Sequence, residues 1–320
     1  MLRYFNVAPK DITSEQATAS KLIAIQPSII LCCFIYHSIL YLSQVNILTK
    51  RPLRKERIDL LQSDTKEKQT LIHLNYRQNS LIGTKTNDFI LKFYSTSTLQ
   101  IAFEIDMRVF DNTSELSYCS SNNQVLVWSS ERVMFWELYR RHLAGSIDFP
   151  RNVSEDFSEM SNQGRVLFQT QDHLQIFVVN TNRRELEQIL DLNLPRMTSG
   201  PDFNDCFFFI ENIQFFETRI WELSCFRLTN RLELVFRELI GYSEESFSIN
   251  ALKYNNSILA SDSTNTIVVK KAHTKIPEVR TLNTGFPCNI AATVELANGN
   301  LVVALDKKSQ VWLWMAHRKK

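Results

Sequence analysis

Apolar residues fall along this chain in short runs rich in Val, Ile, Phe and Tyr, set between clusters of Ser, Thr, Asn, Asp and Gly. No stretch holds a helical period over about a dozen residues. The pattern predicts an all-β protein. Its clearest stretch reads as four strands at 71–76, 80–84, 89–94 and 99–104. The same four-beat unit returns at 116–119, 124–128, 132–137 and 145–149, and again from 157 through 165–169, 173–179 and 185–190. A fifth unit is expected at 206–210, 213–216, 219–223 and 231–236, and a sixth at 249–254, 257–260, 266–270 and 278–282.

Residues 22–49 contain no Asp, Glu, Lys or Arg and are long enough to cross a bilayer as a helix, with Lys50, Arg51, Arg54, Lys55 and Arg57 as a cytosolic flank. Polar residues at 26–28, 37–38, 43–44 and 46 cut this segment into pieces of strand length. We therefore expect strands at about 21–26, 29–35 and 39–45, with 57–61 outermost. A signal peptide is not expected, because the apolar part starts late and lacks a small-residue cleavage site. The last unit, 289–294, 300–305 and 310–314, has three strands, while the apolar run at 2–7 has no partner of its own. Pairing the two would close a ring and remove exposed sheet edges. The expected fold is one domain, 1–320: a seven-bladed β-propeller closed by pairing of the N- and C-terminal strands. Beside the closing strand at 2–7, its blades lie at about 21–62, 70–106, 114–150, 156–192, 205–240, 247–283 and 288–316. The third strands end near Leu42, Tyr94, Trp136, Phe177, Trp221, Lys270 and Trp314, about one blade length apart.

The stretches 132–137, 218–222 and 310–314 resemble the third-strand signature of WD-repeat β-propellers. Trp136-Glu137 and Trp221-Glu222 stand where that family carries Trp-Asp, and Asp88, Glu131, Asp172 and Asp262 where it places a turn aspartate. The family's Gly-His dipeptide is missing, which leaves the side-chain network of its blades without one partner. The resemblance implies a rigid interaction scaffold.

The chain has 320 residues, 44% hydrophobic and 22% charged, an ordinary globular balance. Its 7 glycines stand too far apart for a P-loop, a dinucleotide-binding GxGxxG or a GxSxG nucleophile elbow. The 6 cysteines include no CxxC pair, and the 6 histidines are scattered singly, so no metal site is expected. Cys32 and Cys33 are adjacent, but neighbours on a strand face opposite ways. Asp202 and Asp205 could form a carboxylate pair and read better as a solvated turn. No catalytic residue, cofactor or small-molecule substrate is expected.

Lys and Arg number 36 against 34 Asp and Glu, a formal net charge of +2, so any pull on an acidic partner must be local. In a propeller the loops from third to fourth strands share one face. Here they would carry Lys50, Arg51, Arg54, Lys55 and Arg57; Arg140 and Arg141; Arg183 and Arg184; and Lys270 and Lys271. The turn carboxylates would gather on the opposite face. This basic face is the expected partner site of a non-catalytic scaffold or adaptor, nuclear or cytoplasmic, whose partners are other protein subunits. One alternative is a nucleic-acid-binding accessory subunit of an RNA-modifying or chromatin complex. Another is a membrane-anchored protein with its span at 22–49.

Overall fold

A computed structural model describes residues 3–7, 17–60, 71–76, 79–85, 90–106, 115–119, 124–160, 164–191, 197–203, 206–215, 218–228, 232–242, 248–252, 257–261, 266–270, 278–281, 290–296, 301–306 and 310–315. Every regular element among them is a strand, and the strands form seven four-stranded antiparallel sheets. After β1 (Arg3–Asn6), sheet one runs β2 (Ala19–Gln26), β3 (Ile29–Tyr36), β4 (Ile39–Asn46) and β5 (Arg51–Asp59). Sheet two is β6 (Leu71–Tyr76), β7 (Asn79–Lys85), β8 (Ile90–Ser95) and β9 (Ile101–Asp106). Sheet three is β10 (Glu115–Cys119), β11 (Gln124–Trp128), β12 (Arg132–Glu137) and β13 (His142–Asp148). Sheet four is β14 (Val153–Met160), β15 (Arg165–Thr170), β16 (Gln175–Asn180) and β17 (Glu185–Asp191). Sheet five is β18 (Met197–Phe203), β19 (Cys206–Phe215), β20 (Thr218–Leu228) and β21 (Leu232–Tyr242). Sheet six is β22 (Ser248–Leu252), β23 (Ser257–Ser261), β24 (Thr266–Lys270) and β25 (Glu278–Thr281). Sheet seven joins β26 (Ile290–Leu296), β27 (Leu301–Asp306) and β28 (Gln310–Met315) to β1, in the order β1-β28-β27-β26.

The β1–β28 pairing puts Arg3 opposite Leu313 and Asn6 opposite Gln310, the match expected between the two ends of the chain. Just past β1, Val7 is buried among residues of sheets one and seven.

Two compact units are formed, one from Met1–Asn112, Leu252–Tyr254 and Thr284–Lys320, the other from Thr113–Ala251 and Asn255–Asn283. In the first, sheet one is covered on both faces. Ile30, Cys32, Phe34 and Tyr36 of β3 pack with Val303, Leu305 and Val311 of sheet seven. The alternate residues Leu31, Cys33 and Ile35 pack toward Leu71, Ile82 and Tyr94 of sheet two. A strand buried on both faces needs apolar side chains at every position, which is why β3 reads as an unbroken apolar run. In the second unit, Leu126, Trp128 and Phe135 of sheet three meet Val166, Phe168 and Phe177 of sheet four, with Trp128 edge-on to Phe168 at 5.8 Å between centroids.

The segment 22–49 forms the strands expected of it, as β2, β3 and β4, which turn at Pro27-Ser28 and at His37-Ser38, and it is the alternative of a helical span that needs correction. Both residues of the latter turn have positive φ, 44° and 60°, as a two-residue type I′ hairpin requires. Among the described residues no helix is long and apolar enough to cross a membrane. In sheet five, the strands expected at 206–210 and 213–216 are the single strand β19. Glu211 and Asn212 looked like a turn, yet they pair with Glu222 and Trp221 in mid-sheet. The first strand of the sheet is β18, where Gly200-Pro201 lies in an irregular stretch between the pairs at Thr198 and Phe203. Trp221 therefore stands inside the third strand of its sheet, which ends at Leu228.

Candidate partner interface: cationic turns and an outer strand

The third-to-fourth connections of the first four sheets share one construction. In each, a residue at the fourth turn position adopts the left-handed conformation: Lys50 (φ 57°), Leu99 (φ 61°), Arg141 (φ 55°) and Arg184 (φ 58°). In three of them its amide donates to the carbonyl four residues back, at 2.8 Å, from Leu99 to Ser95, Arg141 to Glu137 and Arg184 to Asn180. A β-bulge stands near every turn, at Gln44/Val45, Phe93/Tyr94, Phe135/Trp136 and Val178/Val179. Short polar side chains cap three of the turns. Asn46 Oδ1 accepts from the amides of Leu48 (2.9 Å) and Thr49 (3.1 Å), Ser95 Oγ from that of Thr98 (3.2 Å), and Asn180 Oδ1 from those of Asn182 and Arg183 (both 3.0 Å). The first turn residue is buried each time, as Ile47, Thr96, Leu138 and Thr181. The next two project.

This construction sorts the expected basic residues. Lys50, Arg140, Arg141 and Arg183 are exposed on turns, and Arg184 is half-buried. Arg184 reaches sheet three, where Nη1 donates to the Ala144 carbonyl at 3.2 Å and Nη2 stands 3.7 Å from Glu137. Arg140 lies 3.9 Å from the same carboxylate, so Glu137 gathers two of the predicted cations. Arg183 pairs with Glu185 at 3.3 Å.

Arg51, Arg54, Lys55 and Arg57 were counted among the loop cations, with the outermost strand starting only at Arg57; all four lie in β5, the edge strand of sheet one. Their charge and Pro52 suggested a loop, but an edge strand tolerates both, since one side of it faces water. Arg54 is 3.6 Å from Glu56, and Arg57 3.6 Å from Asp59. Lys50, Arg51 and Lys55 make no ion pair among the described residues. Lys270 ends β24, and Lys271 lies outside the described residues.

Of the expected turn carboxylates, Asp172 closes the β15–β16 turn. Its Oδ1 accepts from Thr170 Oγ1 at 2.5 Å and from the Leu174 amide at 3.1 Å, and Arg151 stands 3.6 Å away. The Thr170 hydroxyl first, then that amide, hold its carboxyl below the ordinary range. Glu131 lies in the β11–β12 turn, where its carbonyl accepts from the Phe149 amide at 2.7 Å. Asp88, Asp205 and Asp262 lie outside the described residues, while Asp202 falls within β18. Cys32 and Cys33 are fully buried on opposite faces of β3, and burial raises both thiols far above the reactive range.

Sequence reasoning missed the apolar side chains beside the cations. Leu48 (76% exposed) and Tyr139 (67%) occupy the same second turn position in sheets one and three, and Leu53 (55%) projects from β5. Aligning the turns on their left-handed residue would have paired Leu48 with Tyr139. No family model and no curated protein matches this chain.

Proposed function

We propose that the seven sheets are the blades of one propeller and that the chain is a non-catalytic scaffold, binding acidic protein subunits of a larger complex through its cationic turns and β5. Four-stranded sheets, one turn design repeated in the first four of them, the shared sheet of β1 and β28, and the WD-like third strands support the ring. One observation carries the functional reading. Three of the four left-handed turn positions hold Lys or Arg, where the conformation costs a non-glycine residue about 1–2 kcal/mol. Solvation alone would be served equally well by cations at unstrained positions. The test is affinity capture with the full chain carrying Arg51→Glu, Arg54→Glu and Arg141→Glu. The expected result is loss of the co-purifying subunits at an unchanged melting temperature, with Glu131→Gln as a control that keeps them. Recovery of the same subunits by the triple variant overturns the reading.

A second reading, a nucleic-acid-binding accessory subunit, is favoured by Tyr139, an exposed ring beside Arg140 and Arg141 that could stack on a base while they meet phosphate. It requires binding that falls steeply with salt and weakens on Tyr139→Ala.

A further inference from the structure

We propose that β5 receives an acidic, extended segment of a partner protein as a fifth strand of sheet one. This rests on the scaffold reading and adds to it the chemistry and the mode of binding. β5 ends the order of its sheet, and among the described residues no strand pairs with its outer side. From Arg54 to Asp59 its register with β4 is unbroken, Arg54 opposite Gln44 through Asp59 opposite Ile39. In such a stretch alternate residues turn both N–H and C=O away from the neighbouring strand, the template for strand addition.

Charge selects the occupant. β5 carries four cations and two carboxylates, whereas each of the other six outer strands carries at most one Lys or Arg. Cross-strand partners share a face. Lys55 and Arg57, opposite Ser43 and Tyr41, therefore stand on the face toward sheet seven, and Arg51 and Arg54, opposite Asn46 and Gln44, on the face toward sheet two. An added strand would meet cations on both faces. The cations of β5 repel a second basic strand and so guard against self-pairing, but they do not oppose an acidic one, and Pro52, which has no N–H to offer, lies outside the unbroken stretch from Arg54 to Asp59. Leu53, exposed at the bulge, supplies an apolar contact. Nucleic acid fits this edge less well, because Glu56 and Asp59 alternate with the cations and no aromatic ring stands in the strand.

The experiment adds a fluorescein-labelled peptide of about ten residues, alternating Glu and Val, to the full chain, and reads anisotropy together with amide hydrogen exchange over residues 54–59. Saturable binding is expected, with slowed exchange of these amides and an affinity loss of about tenfold or more for the Lys55→Glu, Arg57→Glu variant. The same peptide methylated at alternate backbone nitrogens keeps its charge and should not bind. Equal binding of the methylated peptide, or unchanged exchange at 54–59, overturns strand addition. If an oligouridylate competes at this edge, or the chain self-associates through acidic outer strands such as β17 with loss on the same variant, the proposed occupant is wrong. If the peptide fails while the Arg51, Arg54 and Arg141 variant still loses its subunits, strand addition falls and the scaffold reading stands.

Discussion

Replacing Lys50 with glycine should stabilise the protein, although it deletes a side chain. At φ 57° a residue with a Cβ carries about 1–2 kcal/mol of strain, which glycine relieves. Glycine in turn loses about 0.5–1 kcal/mol more backbone entropy on folding, which leaves a gain of the order of 0.5–1 kcal/mol. Nothing offsets that gain, since Lys50 is exposed and makes no ion pair among the described residues. Leu99 sits at the equivalent turn position with φ 61°, but it is buried in the cluster of Leu71, Ile82 and Tyr94. There the same substitution forfeits about 2–5 kcal/mol of packing, and relief of strain recovers only part of it. Scanning calorimetry of both variants should show Lys50→Gly melting about 1–3 °C higher and Leu99→Gly at least about 2 °C lower, at roughly 2–4 °C per kcal/mol for a compact unit of about 150–250 residues. A lower melting temperature for Lys50→Gly would refute the left-handed turn. Should Lys50→Gly be more stable yet bind acidic partners more weakly, the cation serves binding at the expense of the fold.

Gly83→Ala should destabilise sheet two by about 1–3 kcal/mol, because its Cβ would lie 2.5 Å from Cε1 of Phe93, a buried ring stacked on Phe103; an unchanged urea midpoint would sink that argument. His73, half-buried with Nε2 2.9 Å from Ser80 Oγ, is lowered to about 4, by burial first and the charge of Lys21 second. Between about pH 6.5 and 4 the unfolded chain binds this proton and the folded chain does not. Stability is therefore full above that window and falls on acidification through it, by about 3 kcal/mol; a His73→Asn variant with the same pH profile would overturn the assignment.

Strand periodicity was legible where strands are short and their boundaries carry turn residues. Sheets two, three and four lie close to the expected positions, apart from β13 and β14, which begin several residues early. β13 starts at His142, directly after the left-handed Arg141, because the tight turn needs only four residues where the charges suggested a longer loop. Sheet five was misread because its strands are long enough to carry Glu211, Asn212 and Glu222 internally, so polarity there marks pairing and not a turn. β5 was misread for the opposite reason. An outer strand has little to bury, its side chains are almost all exposed, and apolar alternation carries no signal for it. The cations were thus legible as a cluster, while their placement on a strand edge became visible only in the register with β4.

Scarcity of glycine links the fold to the proposed function. The chain's 7 glycines stand too far apart for the glycine-rich P-loop and GxGxxG motifs, and most left-handed turn positions among the described residues are filled by residues that strain there. Leu99 turns that strain to account by burying its side chain. Arg184 does so by spanning to Ala144 and Glu137 of the neighbouring sheet. Lys50 has no such compensation among the described residues. It stands in a rigid, Asn46-capped turn, two residues from exposed Leu48 and next to Arg51 at the start of β5. A cation rooted on a fixed turn backbone, beside an apolar side chain and a strand edge that no described strand covers, suits recognition of an acidic chain, since the turn itself need not be ordered when the partner arrives. That is the physical reason to place the partner at this corner of sheet one before any other surface of the described residues.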